Sequence, residues 1–192
     1  MKVLEHGFVT LLSIMGDDRE VARAARQSYG NQAKEYSAER DYKLAYRLQR
    51  DLPPHTSPLE MVVMKWAIQA PIYVARQWIR HRTAQWSSWS EFSMRYKEPG
   101  DIDPTGEFLW HIPKANEWRL QDQKNKQGSD GYLDRDSGYS FTARVISLME
   151  ESELLYKDMV AAGITREQAR MHLGVNLFTQ WTWKLDLHNT LH

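Results

Sequence analysis

Apolar and polar side chains alternate along two stretches of the chain, residues 64–70 and residues 175–185. A period of two is typical of a strand that buries one face, and it places the tryptophans of the second stretch in the core. Residues 7–14, rich in large apolar and β-branched side chains, and the short apolar run 108–112 predict two more strands.

Apolar residues three or four positions apart predict helices between these strands. The predicted helices cover residues 17–27, 37–50, 140–162 and 165–173, with further helices starting at Pro71 and Asp186. The sequence Ser57-Pro58-Leu59-Glu60 is typical of a capping box with proline at the first helical position. Residues 121–136 are polar and contain glycine, which predicts a mobile loop.

The length of 192 residues, without an internal repeat or a linker, predicts one domain over residues 1–192. Strands and helices intermix along it, so we expect an α/β (α+β) fold in which helices flank a mixed β-sheet. Only six residues follow Asp186, fewer than a stable terminal helix needs. We therefore expect the chain to be truncated at its C-terminus.

Composition excludes several classes of protein. Hydrophobic residues make up 42% and charged residues 26% of the chain, as in ordinary globular proteins. The formal net charge of zero argues against a nucleic-acid coat or a polybasic membrane binder. There is no apolar run of the roughly 20 residues that a membrane span needs, and no signal-peptide pattern. We expect a cytoplasmic protein without nucleic-acid or membrane partners.

The chain has no cysteine, which excludes disulfides, thiolate metal sites and a cysteine nucleophile. His188 and His192 are four positions apart, a spacing that zinc can use. No glutamate stands beside His188, as the HExxH motif requires, so we expect no metal site.

Candidate chemistry concentrates in residues 80–96. Arg80-His81-Arg82 lead into a stretch with two tryptophans and several hydroxyl residues, followed by Glu91, Ser93 and Arg95. Guanidinium groups bind phosphate through two parallel hydrogen bonds, and indole faces suit a ring system. The segment therefore predicts a site for a nucleotide or a nucleotide-like cofactor.

The same segment resembles the signature of the flavin-dependent thymidylate synthases, which is Arg-His-Arg, a spacer and Glu-x-Ser-x-Arg-Tyr. Its spacer is three residues longer than the family's usual one, an insertion near residues 86–89. Further stretches that resemble the family are residues 55–60, 71–82, 125–129, 170–176 and 183–189. The resemblance implies an α/β homotetramer with active sites at subunit interfaces. It also implies methylation of dUMP with FAD, NADPH and methylenetetrahydrofolate, without an enzyme cysteine.

The resemblance assigns ligands to individual residues. Those implied for the flavin are Ser28, His55, Ser57, Glu60, Arg80, His81, Arg82, Glu91, Asp186, His188 and His192. Those implied for dUMP are Gln77, Arg80, Glu91, Phe92, Ser93, Met94, Arg95 and Arg170, with Arg95 and Arg170 at or near its phosphate. The expected catalytic residues are Arg80, Glu91, Ser93 and Arg95. The two arginines stabilise phosphate and ring charge, Glu91 orients the sugar or flavin, and Ser93 positions the substrate.

Other interpretations stay open. The insertion near residues 86–89 could suit a relative that transfers a hydroxymethyl group to a pyrimidine nucleotide. A non-catalytic nucleotide binder, or a single-strand binder that stacks bases on tryptophan, is a different class, and the zero net charge argues against the latter. Ser93 as a hydrolase nucleophile lacks a Gly-x-Ser-x-Gly elbow. Arg76 and Arg80 could form a solvated helix face, and Ser57 and Glu60 could serve only to cap a helix.

Overall fold

The structure, a computed structural model, describes residues 1–31, 33–81 and 88–191. The strands are β1 (Lys2–Val3), β2 (Gly7–Met15), β3 (Val63–Pro71), β4 (Ser88–Glu91), β5 (Arg119–Gln121), β6 (Ser129–Tyr132) and β7 (Phe178–Asp186). The α-helices are α1 (Asp18–Gln27), α2 (Ala38–Arg50), α3 (Ile72–Trp78), α4 (Arg135–Ala161), α5 (Arg166–Ala169) and α6 (Leu187–Leu191). Short 3₁₀ turns cover Ser57–Met61, Pro99–Ile102 and Arg170–His172. None of the described helices has the length and apolar character needed to cross a membrane.

Five strands form one sheet in the order β1-β2-β3-β7-β4, and β5 and β6 form a separate hairpin. Every pairing between described strands is antiparallel, so the expected mixed sheet is wrong. Met15 at the end of β2 pairs with Val63 at the start of β3, because α1 and α2 return the chain to the same end of the sheet. Pro71 pairs with Phe178 in the same way. Each return reverses the strand direction, as antiparallel pairing requires.

The alternating patterns locate the central strands. The predictions for residues 7–14 and 64–70 are confirmed by β2 and β3, and the stretch 175–185 forms a strand from Phe178 onward. Sequence patterns missed β4, which has only four residues and pairs along the open side of β7.

The predicted strand at residues 108–112 is wrong. Only Trp110 makes an isolated bridge, to Leu177. Phe108 and Leu109 are buried. The run is apolar because its side chains fill the core. A buried irregular segment and a buried strand have the same apolar composition, so composition could not separate them.

The predicted helices at residues 17–27 and 37–50 are confirmed. Asp17 caps α1 by accepting a hydrogen bond from the Arg19 backbone N–H at 2.9 Å. The predicted capping box at residues 57–60 is wrong, since Thr56 is the N-cap of a 3₁₀ turn and no side chain caps it. Only Val62 separates this turn from β3, which begins at Val63, so there is no length for an α-helix.

Residues 121–139, which are largely polar, contain more regular secondary structure than their composition indicated. The helix α4 starts at Arg135 rather than Ser140, and it contains Gly138, where a Cβ would collide with the carbonyl of Ala115. Most of the predicted loop at residues 121–136 is a hairpin followed by this helix. The Gln121 side chain donates to backbone carbonyls across the hairpin loop, so its polar side chains supply order rather than solvation.

The buried core contains three clusters, one of which is built on the two strands β3 and β7. Trp181 of β7 is 2% exposed and packs with Ile68 and Ala75. A second cluster contains Phe108, Tyr156, Ala169 and Leu177, and a third contains Val21, Ala45, Leu59 and Val62. The cluster around Trp181 holds β7 in place, and the edge strand β4 pairs with β7.

Candidate active site

The edge strand β4 carries the second half of the signature segment along β7. Ser88 pairs with Lys184, and Glu91 pairs with Trp181. Trp89 stacks on Trp181 with ring centroids 4.6 Å apart and planes inclined by 18°. β4 therefore starts near the Asp186 end of β7 and ends beside the middle of β7.

Glu91, at the end of β4, has both carboxylate oxygens bound. The Thr179 hydroxyl donates to Oε1 at 2.9 Å, and the Trp89 indole N–H donates to Oε2 at 3.2 Å. Thr179 is only 2% exposed, so water does not compete with Glu91 for its hydroxyl proton. Hydrogen bonds to a charged group are stronger than those between neutral groups. Glu91 is thus fixed in direction, as an orienting residue needs to be.

Residues 94–96 form a turn after β4, and the segment that leads into it is anchored to β7 and to the core. The Phe92 N–H donates to the Gln180 carbonyl at 2.8 Å, which extends the pairing with β7 by one residue. Met94 packs against the Phe108–Tyr156 cluster. The Ser93 hydroxyl accepts from the Arg95 N–H at 3.4 Å, and across the described residues no side chain accepts its proton. Such a serine positions the chain better than it attacks a substrate.

Two arginines that are distant in the sequence meet at one carboxylate. The Nε atom of Arg95 lies 3.5 Å from Oε2 of Glu167, and a terminal nitrogen of Arg170 lies 3.7 Å from Oε1. Arg95 lies in the turn that follows β4, whereas Arg170 follows α5. Sequence reasoning missed Glu167, although its i,i+3 spacing to Arg170 on a helix was a usable signal.

A second ion pair lies beside them. A terminal nitrogen of Arg166 lies 3.6 Å from Oε1 of Glu98. Burial raises the pKa of the neighbouring Tyr156 phenol, and the negative charge of Glu98 adds to this, while Arg166 opposes it. The phenol therefore stays protonated and neutral at physiological pH.

A large cavity of about 1590 Å³ opens beside α1. Three residues implied for the flavin, Ser28, His55 and Ser57, line it together. Ser28 ends α1, and His55 is anchored by its backbone N–H, which donates to the Leu48 carbonyl at 2.7 Å. The structure thus brings these three residues into one wall.

The formal charges of the residues that line the cavity sum to zero. The cations are Arg23, Arg26 and Lys34, and the anions are Asp17, Glu20 and Glu35, which gives three charges of each sign. Arg26 is moreover bound to the buried Asp41 at 2.5 Å. The cavity therefore offers hydrogen-bonding groups and volume, but no positive excess of its own.

The C-terminal residues implied for the flavin lie next to this region. The helix α6 packs against the Ser57–Met61 turn, which also contains Glu60. Asp186 is buried and accepts from the Asn189 backbone N–H at 2.9 Å, as the N-cap of a helix does. Both of its oxygens also accept from the Asn189 side-chain amide. His188 is half-buried on the first turn of α6.

The remaining candidates lie at the end of α3. Gln77, Arg80 and His81 are exposed there, and within the described ranges none of them lines the cavity. Since α3 ends at Trp78, Arg80 follows the helix and shares no helical face with Arg76. Arg82, His192 and residues 86 and 87 of the insertion lie outside the described residues.

Comparison with known proteins identifies relatives along nearly the whole chain. Residues 10–192 match the family described as Thy1, thymidylate synthase complementing protein. The chain is 42% identical over 193 residues to a flavin-dependent thymidylate synthase of Thermus thermophilus, an alignment that covers 99% of this chain and 63% of the relative. It is 41% identical over 194 residues to the flavin-dependent thymidylate synthase of Wolbachia pipientis wMel, covering 100% and 62%. The chain thus spans less than two thirds of the length of these relatives.

A solved structure shares the fold. The UMP/dUMP methylase of Streptomyces cacaoi, crystallised with 5-Br dUMP, superposes with a TM-score of 0.80 at 24% identity. The match covers 100% of this chain and 78% of the methylase chain. The antiparallel sheet with its flanking helices is therefore an architecture that other proteins use.

Proposed function

The chain belongs to the flavin-dependent thymidylate synthase family, as its signature segment predicted, and from this premise we propose that it methylates dUMP to dTMP reductively. The proposal includes FAD as the flavin, NADPH as the reductant and methylenetetrahydrofolate as the one-carbon donor. The observation that carries it is the convergence of Arg95 and Arg170 beside the turn that follows Glu91.

The nucleotide half of the proposal rests on the chemistry of this edge of the sheet. Arg95 and Arg170 supply two guanidinium groups, which match the oxygens of a phosphate monoester. Glu91 is held in direction by two donors and can accept hydrogen bonds from a sugar or a ring. The related methylase of known structure binds a dUMP analogue, which supports the same class of substrate here.

The cavity beside α1 suits a flavin dinucleotide in size and in its hydrogen-bonding groups. Its volume of about 1590 Å³ exceeds the roughly 300–1,000 Å³ of pockets for drug-sized ligands, so the cavity has room for a larger dinucleotide. Ser28, His55 and Ser57 would hold the cofactor through hydrogen bonds. When bound, the flavin would supply the hydride chemistry of the reaction.

The chain's own residues would bind, orient and stabilise charge. Methylation at C5 requires negative charge to develop on the pyrimidine ring, and Arg80 would stabilise that charge. Arg95 and Arg170 would bind the phosphate, with Gln77, Phe92 and Met94 around the nucleotide. Ser93 would position the substrate, because its hydroxyl has no acceptor in the described part of the chain that could serve as a base. No covalent bond to the enzyme is needed, and the chain has no cysteine to form one.

A homotetramer with active sites at subunit interfaces completes the proposal. The cavity has no positive excess for a diphosphate, so Arg80, His81 and Arg82 of another subunit would supply it. The second half of β2 exposes large apolar side chains: Leu11 is 44%, Leu12 52%, Ile14 53% and Met15 64% accessible. Exposed apolar surface of this kind marks an interaction site. Light scattering that finds a monomer at micromolar concentration would count against shared sites.

Product mass tests the proposed reaction. The protein is loaded with FAD and incubated with dUMP, methylenetetrahydrofolate and NADPH, and the nucleotide is then analysed by mass spectrometry. A methyl increment on the nucleotide supports the proposal. A hydroxymethyl increment would redirect it to the related transferase, and binding of both ligands without any product would leave a nucleotide-binding protein.

A further inference from the structure

Glu167 occupies the place that an anionic ligand of Arg95 and Arg170 would take. One of its carboxylate oxygens faces each guanidinium, at 3.5 Å and 3.7 Å. The side chains of Arg95 and Glu167 are 56% and 57% exposed, and that of Arg170 is 31% exposed. The three groups therefore form an accessible site in which a carboxylate of the chain itself bridges two cations.

We propose that Glu167 is a resident counter-ion, which neutralises this anion site while it is empty and is displaced by the phosphate monoester of the nucleotide. The inference rests on the proposed function, since that function supplies the phosphate. A carboxylate and a phosphate dianion cannot both lie between the same two guanidiniums, because like charges a few ångströms apart repel.

The strengths of the competing contacts favour displacement. Exposed ion pairs contribute little, because solvent screens them and two long side chains must be held in place. A phosphate that accepts forked hydrogen bonds from two arginines forms charge-assisted bonds of the stronger kind. Glu167 can thus keep both guanidiniums near their working positions without preventing the substrate from binding.

The charge count gives the device a selective effect. Arg95, Arg170 and Glu167 together carry one positive charge, whereas the two arginines alone carry two. The full charge of the site becomes available only to a ligand that moves the carboxylate away. A dianionic phosphate monoester gains more from this than a weakly charged ligand does, and the neutral nucleoside gains nothing.

Removing the charge of Glu167 tests the proposal. Binding of inorganic phosphate, dUMP and deoxyuridine is measured by calorimetry for the wild-type protein and for Glu167→Gln at low salt. We expect Glu167→Gln to bind phosphate and dUMP about three- to tenfold more tightly, as two lost surface ion pairs allow, with deoxyuridine unchanged. The matched control is Glu39→Gln, which removes a carboxylate from an exposed pair with Lys43 on α2 and should leave all three affinities unchanged.

Unchanged or weaker phosphate binding by Glu167→Gln would overturn the inference, and Glu167→Ala repeats the test with a different side chain. The two proposals fail separately. If the wild-type protein binds dUMP and yields the methylated product but Glu167→Gln gains no affinity, the counter-ion is wrong and the function stands. If phosphate binds more tightly to Glu167→Gln but dUMP is never methylated, the counter-ion stands and the function is wrong.

Discussion

The edge of the sheet at β4 and the cavity beside α1 hold their implied ligand residues in opposite ways. At the sheet edge, Glu91 lies on a paired strand with both oxygens bound. In the cavity, Ser28 and Ser57 lie at the ends of helical elements, His55 lies between α2 and the 3₁₀ turn, and all three are exposed. One region is arranged by hydrogen bonds within the chain, and the other offers a wall that a ligand or a neighbouring subunit has to complete.

The difference indicates which contacts stabilise the geometry of each region. The sheet edge is fixed by the same core that stabilises the fold, so its geometry should persist without a ligand. The cavity depends on the contact between α1 and α2 and on one buried ion pair, Arg26–Asp41. Mutations should therefore disturb the two regions independently, and their effects should be largest where burial is deepest.

The largest effect should come from Trp181→Ala, which breaks the sheet-edge region. Trp181 is 2% exposed and contacts Trp89, Trp78 and Ile68. Truncating a buried aromatic residue costs about 3–5 kcal/mol of unfolding free energy. Urea unfolding measures the loss, with the exposed Tyr96→Ala as control. A loss under about 1 kcal/mol would mean that β4 is not anchored through this side chain.

The next effect should come from Asp41→Ala, which breaks the cavity region. Arg26, whose side chain is only 12% exposed, would be left without its partner, and breaking such a pair costs about 3 kcal/mol. Flavin affinity should fall while dUMP affinity stays constant, as measured by fluorescence and calorimetry. The control on the same helix is Glu39→Gln, whose ion pair is exposed. Equal loss of dUMP affinity would contradict the independence of the two regions.

A smaller effect, confined to the sheet edge, should follow from Thr179→Val. The change keeps the shape of the side chain but removes the donor to Glu91 Oε1. Losing a hydrogen bond to a charged group costs about 1.5–3 kcal/mol, so kcat/KM should fall roughly tenfold or more. Thr182→Val on the same strand is the control, since its hydroxyl makes no hydrogen bond to described residues. Equal activity of both variants would remove the orienting role of Thr179.

The smallest effect should be an acid-dependent one, outside both regions. Burial alone raises the pKa of Glu5, but its backbone hydrogen bond and the contact with His111 lower it overall below the ordinary 4.5. Because the pKa is depressed in the folded state, the stabilisation is present above pH 4.5 and is lost as the pH falls through the folded pKa. Glu5→Gln should lower the unfolding free energy at pH 7 by about 0.5 kcal/mol, and the difference should vanish in acid. Neither ligand affinity should change.

The sequence predicted the parts of the fold that local patterns encode. Alternation located β3 and most of β7, and the spacing of apolar residues located α1 and α2. Strand direction could not be read in this way, since it depends on where the chain returns to the sheet. The four-residue β4 was also missed, because long-range pairing with β7 forms it.

The site was predicted unevenly for the same reason. The signature segment was evident, since it is contiguous in the sequence. Thr179 and Glu167, which contact Glu91 and Arg95, belong to no motif, and only the sheet register and the position of α5 bring them there. The polar hairpin after Arg119 shows a related limit, because side chains that satisfy backbone groups have the same composition as a solvated loop.

Hydrogen–deuterium exchange with one ligand at a time tests most directly the claim that the two regions hold two different ligands. With dUMP alone, the account predicts slower exchange in peptides that cover residues 91–97 and 166–172. With FAD alone, it predicts slower exchange in residues 23–31 and 55–61. Protection of the cavity peptides by dUMP, with no change at residues 91–97, would contradict the account.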